Sequence, residues 1–161
     1  MLSKYKEFAE HNLQPIAKSL GWINPNALTV IGIIPQVLFF IFMRSHEFGW
    51  AALALFFSFI DLLDGMVARR NNKVTPFGGF LDTTFDRLSD FILIAGFYVA
   101  DLISLELAAS LLVVSYLISY VRSRAELAAG GKMKFDVGLI ERPERIIFMF
   151  LTLILHLIFP T

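Results

Sequence analysis

Cysteine is absent from the 161 residues, which excludes disulfides and thiolate metal sites while revealing nothing about redox compartment. Net charge is absent too: fourteen Lys and Arg balance fourteen Asp and Glu, so the whole-chain field gives no reason to expect a nucleic-acid partner. The first twenty residues lack the continuous apolar stretch of a cleavable signal peptide. No repeat, low-complexity tract or soluble-domain linker interrupts the chain. What the sequence has in abundance is apolar surface: 57% hydrophobic residues, 17 Phe and long uncharged runs. That composition describes an all-α integral membrane protein, with residues 1–161 as a single membrane domain.

Residues 1–20 place Leu2, Tyr5, Ala9, Leu13, Ile16 and Leu20 at three- and four-residue steps, with Lys and Glu between them. This pattern predicts an amphipathic helix lying in the membrane interface. Asn24-Pro25-Asn26 breaks it, with Asn26 as the expected cap of the next helix. Five spans are then expected, over about 27–43 (with a kink at Pro35), 50–67, 78–100, 107–129 and 144–159. With that count, thirteen of the fourteen Lys and Arg fall on one side, and Arg44 alone on the other. The positive-inside rule turns the basic side toward the cytoplasm, so a multi-pass protein of the cell membrane is expected.

The sequence concentrates acid at that same side. Asp61 and Asp64 end the second expected span, and Asp82 and Asp86 open the third. Spacings of three and four residues put each pair on one helix face, and the short basic loop between them allows both pairs to face one point. Four neighbouring carboxylates repel one another, and hard divalent cations relieve that repulsion. The competing reading is a structural ion network with Arg69, Arg70 or Arg87. An ion or proton transporter is a further alternative, but it needs acids spread through membrane depth, and here they cluster at one end.

The pattern Asp61-x-x-Asp64-Gly65-x-x-Ala68-Arg69, eight residues, then Gly78-x-x-x-Asp82-x-x-x-Asp86 resembles the signature of the CDP-alcohol phosphotransferases. The resemblance implies a metal-dependent transferase with a cytoplasm-facing polar cavity, releasing CMP from a CDP-linked lipid. It implies Asp61, Asp64, Asp82 and Asp86 as ligands of two divalent ions, Mg2+ or Mn2+, with Asp61 and Asp82 bridging. Asp86 would also be the general base. Gly65, Ala68 and Arg69 would hold the nucleotide diphosphate, joined by Thr75 and by Asn26, Ala27, Leu28 and Thr29. Small residues at 65 and 68 equally suit tight helix packing. Asp90 continues the acidic face by another turn, but a structural partner is expected for it in place of a metal.

Ser119-Tyr120-Val121-Arg122-Ser123-Arg124-Ala125-Glu126 and Glu141-Arg142-Pro143-Glu144-Arg145 resemble the branch of that family whose acceptor is inositol phosphate. Ser123 stands where Ala is usual. Arg122, Arg124, Arg142 and Arg145 are the expected phosphate clamp, since forked guanidinium donors match phosphate geometry. Positive-inside anchors paired with Glu126, Glu141 and Glu144 are the alternative for the same residues. Glycerol phosphate is the alternative acceptor, and ester and ether lipids are both compatible. The family usually has six spans, so a sixth helix is expected to be absent or truncated after Thr161. An incomplete, inactive packing protein is the remaining alternative. A homodimer is implied by the resemblance, with Gly96, Ala100 and Ala108 as small residues for its contact. His11, His46 and His156 are expected to be packing or interfacial residues.

Overall fold

Apolar runs closed by turn and cap residues give five helices in a computed structural model that describes residues 25–58, 75–130 and 142–159. They are α1 Pro25–Arg44, α2 Phe48–Phe57, α3 Pro76–Val99, α4 Leu105–Ala128 and α5 Arg142–Ile158. The expected interfacial helix over 1–20 and the inner part of the second span lie outside the described residues.

The starts of α3 and α4 follow from capping chemistry. The Thr75 side chain accepts a bond from Gly78 N (2.9 Å), with Pro76 in the first helical position, where its missing N–H and fixed φ are no handicap. Ser104 accepts from Leu107 N at 3.3 Å. For the same reason α1 begins at Pro25, so Asn26 lies inside its first turn and the cap expected there is displaced. The helix continues through Pro35.

Two turns reverse the chain with the same geometry. After α1, His46 takes φ 57°, His46 N donates to Met43 O (3.0 Å), and Glu47 N donates to Phe42 O (2.8 Å). After α3, Asp101 takes φ 57°, Asp101 N donates to Tyr98 O (3.0 Å), and Leu102 N donates to Phe97 O (3.1 Å). These are Schellman closures with a non-glycine residue in the left-handed position. His and Asp tolerate that region better than most side chains.

The core gathers at this end. Phe39 and Met43 of α1, Ala51 and Leu55 of α2, Leu93, Phe97 and Ala100 around α3, and Ile146 and Leu153 of α5 form one buried cluster, with Phe48, Leu102 and Ile103 packed on it. Both α1 and α3 therefore run toward this end. Phe48–His156 and Phe56–Phe150 ring contacts at 4.8 and 6.5 Å make α5 antiparallel to α2. His46 also meets Phe48 edge-on, so two of the three histidines are packing residues around one phenylalanine.

Glycine at 96 is a spatial requirement. A Cβ there would lie 2.5 Å from Phe39 Cε1 and 3.1 Å from Cδ1, and the Phe39 ring is itself fully buried against Phe97. Gly96→Val is therefore expected to destabilise the fold by about 1–3 kcal/mol through overpacking, read as a lower midpoint of thermal unfolding in detergent. Unchanged stability would show that the α1–α3 contact is looser than described. Gly96, Ala100 and Ala108 are all buried, so these small residues serve packing within the chain, not the surface contact expected of them. Gln36 is wholly buried, with neither side-chain polar atom bonded among the described residues.

Helix α4 is long and apolar enough to cross a membrane, and is the helix among the described residues that meets both criteria. Its Leu107, Leu111, Val113, Val114, Leu117 and Ile118 are exposed, whereas the core helix of a soluble protein would bury them. Val30–Arg44 of α1 and Phe48–Phe57 are shorter apolar stretches.

Candidate functional site

The acidic face of α3 is a ladder of three carboxylates one turn apart, about 6 Å of rise per step. Exposure falls along it: Asp82 is exposed, Asp86 half-buried and Asp90 buried. The ladder thus descends from an open end into the bundle. Neighbouring polar side chains turn onto their own helix. Thr84 Oγ1 donates to Phe80 O (2.8 Å), and Arg87 Nη1 donates to the Thr83 carbonyl.

At the bottom of the ladder, Asp90 is only 4% exposed. Its Oδ2 accepts from Ser115 Oγ of α4 (2.7 Å) and from Arg145 Nη2 of α5 (2.6 Å). A buried carboxylate requires such partners, because an unpaired charge there would cost several kcal/mol. The structural partner expected for Asp90 is therefore present. Beyond it, the next acid on this part of the chain is Asp101, exposed in the turn. Among the described residues the acids do not continue across the bundle as a conduction path would require.

The first turn of α1 carries Asn26, Ala27, Leu28 and Thr29. Counting back from the Phe39–Phe97 contact at about 1.5 Å per residue places this turn at a depth similar to Asp86 on α3. Thr75 lies at the mouth of α3, exposed, and acts as its N-cap, a role that its Thr-Pro sequence signals. Asp61, Asp64, Gly65, Ala68 and Arg69 lie outside the described residues.

The four arginines expected to bind acceptor phosphate have different surroundings. Arg122 Nε meets Glu126 Oε1 at 3.4 Å along α4, a partly exposed pair of small energetic value. Arg124 is exposed on the same helix. Arg142 opens α5. Arg145 is tied directly to the acidic face through Asp90, a link between residues 55 apart in sequence.

Asp82 and Asp86 supply hard oxygen donors on one helix face, a set that suits Mg2+, Mn2+ or Ca2+. Among the described residues alone, no group of three or more His, Cys, Asp or Glu is arranged to hold a metal. The fit therefore rests on the chemistry of the α3 donors, Asp61 and Asp64 lying outside the described residues.

Five helices among the described residues, an exposed apolar span and a ladder of carboxylates sinking into the bundle describe an all-helical membrane protein. Residues 22–159 match the family model of the CDP-alcohol phosphatidyltransferases, and the chain belongs to this membrane-associated enzyme family. It is 39% identical over 155 residues to the archaetidylinositol phosphate synthase of Pyrococcus horikoshii, covering 94% of this chain and 81% of that protein. It is 45% identical over 150 residues to the corresponding synthase of Methanothermobacter thermautotrophicus, covering 92% and 75%. Among solved structures, it resembles Mycobacterium tuberculosis phosphatidylinositol phosphate synthase with CDP-DAG bound, with a TM-score of 0.71, 31% identity, and 91% and 76% of the two chains covered. The same mycobacterial protein in complex with manganese and citrate gives a TM-score of 0.72, covering 91% and 73%.

Proposed function

We propose that this enzyme transfers the phosphatidyl-type group of a CDP-lipid, CDP-diacylglycerol or CDP-archaeol, to inositol phosphate and releases CMP. The observation that carries the reading is the ladder itself: Asp82 and Asp86 share one face of α3 within a complete family signature. The archaeal and mycobacterial relatives bear names of inositol phosphate-using synthases, which supports the choice of acceptor.

In this reading Asp61, Asp64, Asp82 and Asp86 hold two divalent cations, magnesium by preference and manganese as a substitute. When bound, such ions neutralise the diphosphate and stabilise the leaving CMP. Asp86, half-buried and one turn above Asp90, accepts the proton of the acceptor hydroxyl as its oxygen attacks the phosphorus attached to the lipid. The P–O bond to CMP breaks in the same displacement. Arg69, with Gly65, Ala68, Thr75 and Asn26–Thr29, holds the CDP group, and Arg122, Arg124, Arg142 and Arg145 receive the acceptor phosphate. The acidic end faces the cytoplasm, as the placement of thirteen basic residues on its side supports. The whole chain acts as one membrane domain of several spans, surrounded by membrane lipids and paired as a homodimer.

The test is release of CMP from CDP-lipid in magnesium-containing membranes, compared across acceptors. Inositol phosphate is expected to outpace inositol by at least about tenfold in kcat/KM, since a site built to pair a phosphate strongly rejects analogues lacking it, and to be used in preference to glycerol phosphate. Equal rates with inositol and inositol phosphate would remove the phosphate clamp, and preference for glycerol phosphate would reassign the acceptor.

A further inference from the structure

The Asp90–Ser115–Arg145 cluster does more than neutralise a buried charge. It joins three helices, α3, α4 and α5, at one point. Both bonds converge on a single oxygen of Asp90, fixing that carboxylate and, through it, the guanidinium. A guanidinium offers five N–H donors, and among the described residues Nη2 is the one engaged, by Asp90. Arg145 Nε is sealed from solvent with no partner among the described residues, while the side chain as a whole keeps 19% of its surface exposed. The partly exposed side chain thus has N–H donors beyond the one given to Asp90 with which to meet a second anion. The pair also lies one helical turn, about 6 Å of rise, below Asp86. A polyol monophosphate spans such a distance, with a reacting hydroxyl at one end and its phosphate at the other.

We infer that Asp90, braced by Ser115, is a positioning residue that orients Arg145 to grip the phosphate monoester of the acceptor. Asp90 itself touches no substrate. This rests on the function proposed above and adds a cause for its acceptor selectivity: the phosphate preference is set by a carboxylate buried beneath the site. Lysine at 145 would not substitute fully, because a point charge paired with Asp90 has no planar fork to share between two anions.

The experiment measures kcat/KM for inositol phosphate and for inositol in membranes carrying the full chain. Asp90→Asn preserves shape and an acceptor oxygen but removes the charge that aligns the guanidinium. It is expected to raise KM for inositol phosphate between about 10- and 100-fold, the range of a charged hydrogen bond, with KM for CDP-lipid unchanged. The ratio of the two acceptors' kcat/KM should collapse by the same factor. Asp90→Glu should recover part of it. Ser115→Ala removes one of the two bonds, retains the ion pair, and should lower the ratio several-fold, so the inference stays testable if Asp90→Asn accumulates poorly. A merely structural role would scale both acceptors equally, and that outcome overturns the inference while leaving the proposed function standing. Wild-type membranes that release no CMP on addition of inositol phosphate would overturn both.

Discussion

Asp86→Asn is expected to abolish turnover while leaving divalent-metal binding partly intact. Loss of a positioned general base alone lowers a rate by about 100- to 10,000-fold, and the amide is also a poorer ligand for a hard cation. The remaining donors expected at the site, Asp61, Asp64 and Asp82, keep an oxygen-rich cluster, so weakened binding is expected in place of none. CMP release from CDP-lipid measures the first effect, and titration with Mn2+ followed by electron paramagnetic resonance measures the second. Asp86→Glu, which keeps the charge but shifts it by a methylene, should fall between wild type and Asn. Full activity in Asp86→Asn would remove this residue from the base role. Complete loss of metal with loss of activity would make it a ligand first.

Arg145→Met is expected to give the largest loss of stability of any single change in the described helices. It leaves Asp90, 4% exposed, with Ser115 as its remaining partner. Breaking a buried ion pair on one side costs about 3–5 kcal/mol. Removing both charges in Asp90→Leu/Arg145→Met should restore most of that stability, because an apolar pair of similar volume fits the same space without an uncompensated charge. Activity should separate from folding here. The double variant is expected to unfold near the wild-type temperature in detergent, yet to show no preference for phosphorylated acceptor. Wild-type stability in Arg145→Met would mean that the pair seen between α3 and α5 does not hold the bundle together.

Much of this architecture is legible in the sequence. The apolar runs located all five described helices, and the carboxylate spacing placed Asp82, Asp86 and Asp90 on one face of α3 without further information. The boundaries were less accurate, and for reasons already visible in the sequence. Thr75-Pro76 and Ser104-x-x-Leu107 are cap signals, and they start α3 and α4 two residues earlier than hydropathy suggests. The Arg145–Asp90 contact was not legible, since it joins residues 55 apart and depends on how α5 leans on α3. The same holds for His46, Phe48 and His156, which share no periodicity but meet at one end. Gly96 read as a small surface residue because sequence cannot reveal that Phe39 lies across from it.

The paired left-handed turns at His46 and Asp101 carry an implication for the order of assembly. Each closes a helical hairpin through a handful of neighbouring residues, and each satisfies its loose carbonyls within the same few positions, so α1–α2 and α3–α4 are units that form locally and early. The contact between Asp90 and Arg145 spans far more chain and joins late, once both hairpins exist. A chain left with an unpaired charge at that contact, as in Arg145→Met, would hold α5 by its packing on α2 alone, a loosening that faster limited proteolysis near Arg142 would reveal.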